Sequence, residues 1–266
     1  MPVPLRFPIV DGRIPTASLE AHIVDHCNLR CDQCCSLSPQ LPAYEVDPEQ
    51  LARDLSWAHQ VLAPSTFKLV GGEPLLHSRL VECLEVARRS AIAPMVLVTT
   101  NALRIHRVDP EFWRLVDGVT VSAYPTPGIP TEIHDHIMAK ASEHRVVVNW
   151  KVQSHFVAMD RSSPQPDAET TAAIYDDCWL RRRCHTLRDG RLFACPRPIH
   201  LRSVHPEHVA DDDGVELRPG PTRATQVQAY LERLQPLRTC QMCHGARGAL
   251  VPHRQLATRP RVRPRP

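Results

Sequence analysis

From residue 18 onward, short apolar runs alternate with amphipathic stretches. LEAHIVDHC (19–27) reads as a strand that runs into a cysteine. In VDPEQLARDLSWAHQVL (46–62), Leu51, Leu55, Ala58 and Leu62 recur at helical spacing, Asp47 can cap the helix, and Pro48 suits its first position. TFKLVGG (66–72) reads as a strand and SRLVECLEVARRS (78–90) as a helix. PMVLVTTN (94–101) is a nearly unbroken apolar strand, followed by a short helix in DPEFWRLV (109–116). GVTVSAYP (118–125), TEIHDHIMAKASEH (131–144) and RVVVNWKVQ (145–153) continue as strand, helix and strand.

Strands this apolar are covered on both faces, as in a parallel sheet wrapped by helices. Five or six fit within residues 18–153, too few for a closed eight-stranded barrel. The expected fold is α/β: a partial (β/α) barrel of about six parallel strands with outer helices, followed by a small cysteine-rich hairpin-plus-helix domain. Residues 158–177 read as a polar connector. CHTLRDGRLFAC (184–195) reads as a hairpin turning at Asp189-Gly190, and RATQVQAYLERL (223–234) as a last amphipathic helix before CQMCHG. The expected division is 1–157, 158–245 and a tail, 246–266.

The 266 residues are 42% hydrophobic and 23% charged, ordinary values for a globular protein. No apolar run reaches the roughly 18 residues a membrane helix needs. MPVPLRFPIVDGRIP lacks the apolar core and cleavage site of a signal peptide, so a cytoplasmic address without a membrane partner is expected. The net charge of +3 hides an uneven distribution, because residues 246–266 hold six Arg and no acid. That Pro/Arg-rich stretch is expected to be disordered. With no aromatic residues among the arginines, it argues against a nucleic-acid partner.

Ten cysteines without a secretory signal point to metal or redox chemistry rather than disulfides. Cys27, Cys31 and Cys34 follow C-x3-C-x2-C at a strand end. Three thiolates on a short loop can each hold one iron of a cubane and leave the fourth iron open. A zinc site completed by Cys35, Asp32 or His26 is the alternative. Gly71 and Gly72 permit close backbone approach to a ligand, Glu73 offers an anion for an ammonium group, and Asn101 offers a donor and an acceptor.

In order along successive strand ends, CNLRCDQC, GGEP (71–74) and TTNA (99–102) resemble the motifs of the radical S-adenosylmethionine superfamily over about residues 18–155. The resemblance implies a [4Fe-4S] cluster on Cys27, Cys31 and Cys34 that chelates S-adenosylmethionine. It implies that Gly71, Gly72, Glu73 and Pro74 bind the methionine amino group and that Thr100 and Asn101 contact ribose. Ser122 and Lys151 would contact carboxylate and ribose. It also implies a 5'-deoxyadenosyl radical and an external electron donor such as flavodoxin or ferredoxin. Two positions depart from the pattern: Gln33 stands where the family has an aromatic residue, and Ala102 where it has glycine.

The late cysteines resemble the twitch/SPASM auxiliary-cluster domain, whose ligands flank a DG hairpin and end in C-x2-C. Cys178, Cys195, Cys240 and Cys243 match best, with Cys184 a fifth candidate. The resemblance implies an auxiliary [4Fe-4S] cluster, structural zinc being the alternative. Cys35 reads as a buried small side chain or as a thiol hydrogen donor, and Tyr124 as a pocket wall or a relay. His200, His205 and His208 read as solvated. The expected activity is oxidation or epimerisation at an unactivated C–H of a small-molecule substrate, an aminocyclitol, sugar or amino acid. A ribosomal-peptide maturase is the runner-up, disfavoured by the short connector. A non-catalytic zinc-binding interaction protein is a remote alternative.

Overall fold

The computed structural model describes residues 5–258 and 260. Its strands, in chain order, are β1 (Ile14–Thr16), β2 (Leu19–Val24), β3 (Leu62–Pro64), β4 (Phe67–Gly71), β5 (Val96–Thr100), β6 (Gly118–Ala123), β7 (Val147–Val152), β8 (His155–Val157), β9 (His185–Arg188), β10 (Arg191–Phe193), β11 (Val215–Glu216) and β12 (Leu250–Pro252). The main sheet has the order β11-β10-β9-β2-β4-β5-β6-β7. From β9 through β7 neighbours run parallel, and β10 and β11 are antiparallel additions. Five of the six parallel strands lie within residues 19–152. The sixth is β9, from the hairpin, so the sheet continues across residue 157.

Helices Pro48–Val61, Leu80–Ser90, Glu111–Leu115 and Thr131–His144 follow the core strands as their periodicity predicts. Asp47 caps the first through the Glu49 amide at 2.8 Å. Leu51, Leu55 and Leu84 press on Phe67, Leu69 and Ile23, all buried in one continuous core. Side chains alternate along β2. Leu19, Ala21 and Ile23 belong to that core, whereas Glu20 reaches Lys68 on the opposite face. No helix among the described residues is long and apolar enough to cross a membrane.

Three expectations require correction. The connector holds a helix, Ala168–Asp177, capped by Asp167 through the Thr170 amide at 2.8 Å. Its apolar periodicity is weak because it buries only Thr171, Ile174 and Tyr175. The supposed loop at 197–204 is also helical, and His200 is buried on it, 3.0 Å from His22. The tail is ordered as far as 258: β12 pairs with β8, and Cys31 bridges to Gln255. The rest of the expected disordered tail, 259 and 261–266, lies outside the described residues.

One ion pair ties the hairpin to the core. Arg188 on β9 meets Asp25, just beyond β2, at 2.9 and 3.2 Å, with both side chains below 5% exposure. Its guanidinium also lies 4.1 Å over the Tyr44 ring. A buried charge that loses its partner is expensive. Arg188→Met should therefore destabilise the fold by about 3–5 kcal/mol. Adding Asp25→Asn should recover part of that loss, as read from denaturant midpoints of both variants.

Candidate functional site

The loop after β2 carries the first three thiols. Cys31 is buried, and Cys27 and Cys34 are half-buried. Burial pushes the Cys27 thiol up to about 12 against the pull of the Leu29 amide, and Glu73, Cys34 and Cys31 push the same way. Burial likewise raises Cys31 and Cys34. A cation would reverse that penalty, so the donor set suits a metal group. Among the described residues no three of His, Cys, Asp and Glu converge on one point a single ion could fill. Thiolates of a cubane each serve a different iron and stand further apart than ligands of one ion.

Glu73 follows β4 and is 1% exposed. Its carboxylate accepts from Thr100 Oγ1 at 2.5 Å, the Asn101 amide at 2.7 Å and the Leu75 amide at 3.0 Å. Burial outweighs those three donors and lifts its carboxyl to about 7. A buried carboxylate held by three neutral donors suits an incoming ammonium group. Asn101 donates to Asn28 at 2.8 Å and points its amide toward Cys27 Sγ at 3.7 Å. The GGEP and TTNA turns thus meet at the thiol loop, as their order along the strands implies.

The glycines are also required by the backbone itself. A Cβ on Gly71 would lie 2.2 Å from the Val24 carbonyl oxygen, and one on Gly72 2.2 Å from that of His26. They admit the backbone that leads into the thiol loop, held by bonds from Gly72 and Glu73 amides to Val24 and His26 carbonyls at 2.8 and 3.0 Å. Pro74 opens the next short helix and is buried. Ala102 is fully buried at φ 61°, the left-handed conformation that a glycine adopts without cost.

Ser122 and Lys151 sit opposite one another on β6 and β7, Ser122 buried and Lys151 exposed. On the same inner face, Glu20 meets Lys68 at 3.2 Å, and Lys68 also reaches Ser18 at 3.4 Å. Burial raises the Glu20 carboxyl, while Lys68 and then Lys151 pull it down. Cys35 is exposed, yet protein atoms ring it and lift its thiol to about 11, with Cys34 adding to the effect. It keeps its proton at neutral pH.

Tyr124 stacks on His253 at 4.8 Å and 17°, and Phe156 closes the cluster edge-on to both rings. Burial pushes its phenol well up. This is a wall position, built partly by the tail. His253 and Gln255 bring nitrogens to 3.3 and 3.1 Å from Cys31 Sγ. Backbone bonds of 2.9 and 2.8 Å join Asp32 to Arg254 and Leu256 to Arg30. Arg254 closes the seam on Asp32 at 2.7 Å. No feature of the tail's sequence signalled this strap. Glu20 and Lys68 could have been found, as charged residues inside apolar strands.

Cys178, Cys195, Cys240 and Cys243 line one pocket, walled by Tyr175 and Arg197. Burial raises the thiols of Cys195, Cys240 and Cys243, and the neighbouring cysteines push them further. Four thiols around one pocket, three of them desolvated, again suit a metal group that takes them as thiolates. Cys184 is not in that lining. Burial lifts its thiol to about 12, and the groups acting on it are Glu20, Lys68, Cys35 and Lys151. The hairpin has the expected register through Thr186 and Phe193, with Asp189 and Gly190 at φ 50° and 72°. Since β9 runs parallel to β2 and β10 returns, the first thiol loop leaves one end of the sheet. Cys184 and Cys195 flank the hairpin at the other end.

No protein-family model matches the chain. It is 34% identical to GTP 3',8-cyclase 2 of Mycobacterium tuberculosis (strain ATCC 25618 / H37Rv) over 113 residues, 40% of this chain and 30% of that protein. It is 35% identical to GTP 3',8-cyclase of Mycolicibacterium smegmatis over 111 residues, again 40% and 30%. The matched segment therefore spans less than a third of these relatives' own length. Among solved structures, BtrN in complex with AdoMet and 2-DOIA shares the fold at a TM-score of 0.53 and 14% identity, covering 87% of this chain and 94% of that one.

If the strap holds the thiol loop in shape, a chain ending at residue 249 should lose iron from the first site sooner than the full chain. The check is iron retained during an anaerobic chelator challenge. About half should leave early from the truncated protein, and equal retention would make the strap peripheral.

Proposed function

We propose that this member of the radical S-adenosylmethionine superfamily oxidises an unactivated C–H group of a small polar metabolite, such as an aminocyclitol, a sugar or an amino acid. The observation that carries the reading is the second set of thiols: Cys178, Cys195, Cys240 and Cys243 line one pocket, and Arg197 of that pocket reaches the Cys35 carbonyl on the loop of Cys27, Cys31 and Cys34. With all four thiols engaged, a cluster there would have no ligand position left for substrate. When bound, a cluster on the first loop with S-adenosylmethionine would supply a radical able to remove a hydrogen atom, and a fully ligated second cluster would supply an acceptor for the remaining electron, the accompanying proton leaving to solvent.

The chain's own residues bind and orient. Cys27, Cys31 and Cys34 would hold the first cluster. Glu73, set by Thr100 and Asn101, would take the methionine ammonium, and Ser122 and Lys151 would contact the methionine carboxylate and ribose. Glu20, Lys68 and Ser18 offer a charged and a hydroxyl group on the inner face, which suits a substrate bearing hydroxyl or amino groups. The like-folded BtrN, solved with AdoMet and 2-DOIA, supports a small-molecule substrate. An external electron donor, flavodoxin or ferredoxin in kind, would reduce the first cluster. The address is proposed to be cytoplasmic.

A second reading, epimerisation, is favoured by one observation: Cys35 is exposed, keeps its proton at neutral pH and lies near Glu20 and Cys34. It would return a hydrogen atom to the substrate. Product formed in deuterated water separates the two, because only epimerisation through an exchanged thiol leaves deuterium on carbon.

The proposal is tested on anaerobically reconstituted protein. It should carry about eight irons, about four after Cys27, Cys31 and Cys34 are replaced by Ala. On reduction with S-adenosylmethionine only the unaltered protein should release 5'-deoxyadenosine. Zinc in place of iron would overturn the assignment.

Glu73 gives a second test. Its carboxyl is lifted to about 7 in the ligand-free protein, and only the ionised form pairs with an ammonium. S-adenosylmethionine affinity should hold above that pH and fall about tenfold for each unit below it. Glu73→Gln should bind weakly at every pH and flatten the profile, as measured by calorimetry between pH 5.5 and 8.

A further inference from the structure

We infer that Arg197 is a positioning residue that sets the reduction potential of the cluster held by Cys178, Cys195, Cys240 and Cys243, and fixes that site to the first thiol loop. The inference rests on the two-cluster reading above. Arg197 begins the helix Arg197–Val204, two residues after Cys195, and its side chain is 2% exposed. One terminal nitrogen donates to the Cys35 carbonyl at 3.1 Å, and the other to Asp160. Its Nε is buried without a hydrogen-bond partner, and the side chain lines the thiol pocket.

Burying a guanidinium is costly unless its charge and its donors are all met. Here Asp160 meets part of the charge, a carbonyl meets one donor, and Nε is left without a partner. Asp160 holds the guanidinium by charge and hydrogen bond, and Cys243 adds negative charge beside it once it is a thiolate. The chain also brings Asp160 and Cys243 together as a backbone bridge. A four-thiolate cluster carries net negative charge that grows on reduction. A fixed cation beside it favours the reduced form and raises its potential, a lever that charge and hydrogen bonding give the protein over such groups. The same guanidinium grips the carbonyl of the residue after Cys34, so it spans from one thiol set to the other.

The test uses the full chain with Cys27, Cys31 and Cys34 replaced by Ala, so that only the second cluster reports. Its midpoint potential is followed by paramagnetic resonance during a redox titration, with iron content alongside. Arg197→Met should keep about four irons and show a lower potential, and Arg197→Lys should recover most of the shift. Asp160→Asn, which leaves more of the guanidinium charge uncompensated, should shift the potential upward. If Arg197→Met fails to fold, the Lys and Asn variants still carry opposite expectations. An unchanged potential in Arg197→Met, or no upward shift in Asp160→Asn, would overturn the role of Arg197 while leaving two clusters in place. An absence of iron in this background would overturn the two-cluster reading and this inference together.

Discussion

The structure depends on the cost of ionising thiols away from water. Cys27, Cys31 and Cys34 crowd one loop, and Cys178, Cys195, Cys240 and Cys243 crowd one pocket. Burial and mutual repulsion resist ionisation of Cys27, Cys31 and Cys34 in the first set and of Cys195, Cys240 and Cys243 in the second. Glu73 is held under the same constraint. A cation offsets that cost, so a metal cluster or an ammonium group would bind into surroundings largely shielded from water. What surrounds them follows from that requirement. Gly71 and Gly72 let the GGEP turn close on the thiol loop. The strap of His253, Arg254 and Gln255 closes on the loop, Arg254 donating to Asp32, Gln255 donating to Cys31 and His253 lying beside Cys31. Arg197 stands where a buried positive charge is tolerable only because negative charge gathers beside it.

The β/α order, the strand ends and the hairpin turn were legible because each is written in a short window. Strands and helices differ in apolar period, and Asp189-Gly190 satisfies two positive φ angles in two residues. The cysteine loop and the GGEP and TTNA turns were legible for the same reason. What the sequence hid was settled by distant partners. Helix Arg197–Val204 carries two arginines and a histidine and reads as polar. It is buried because Arg197 finds Asp160 and the Cys35 carbonyl, and His200 finds His22. The tail reads as a charged, Pro-rich extension, but pairing with β8 and with residues 30–32 gives its backbone the partners that composition cannot show. Cys184 was indistinguishable from the other late cysteines by spacing. The sheet decides its place, since it stands directly before β9, on the side of Glu20 and Lys68.

That placement follows from β9 running parallel to β2 in one sheet. A hairpin in a separate unit could sit at many distances from the thiol loop, and its contents would drift with the linker. Here the register Leu19 to His185 and Glu20 to Thr186 fixes it, and the Asp25–Arg188 pair locks it at the other end of the strands. The antiparallel return of β10 then leads to Cys195 and Arg197, and Arg197 reaches back to the Cys35 carbonyl on the first thiol loop. The polar inner face of β2 and β4 lies along the same strands. Two thiol sites tied to a shared set of strands can serve one substrate only if their separation stays constant. Backbone pairing supplies that constancy better than a flexible connector could. The sixth parallel strand is thus a strut as well as an element of the sheet, and the chain draws it from the segment that also carries the second set of thiols.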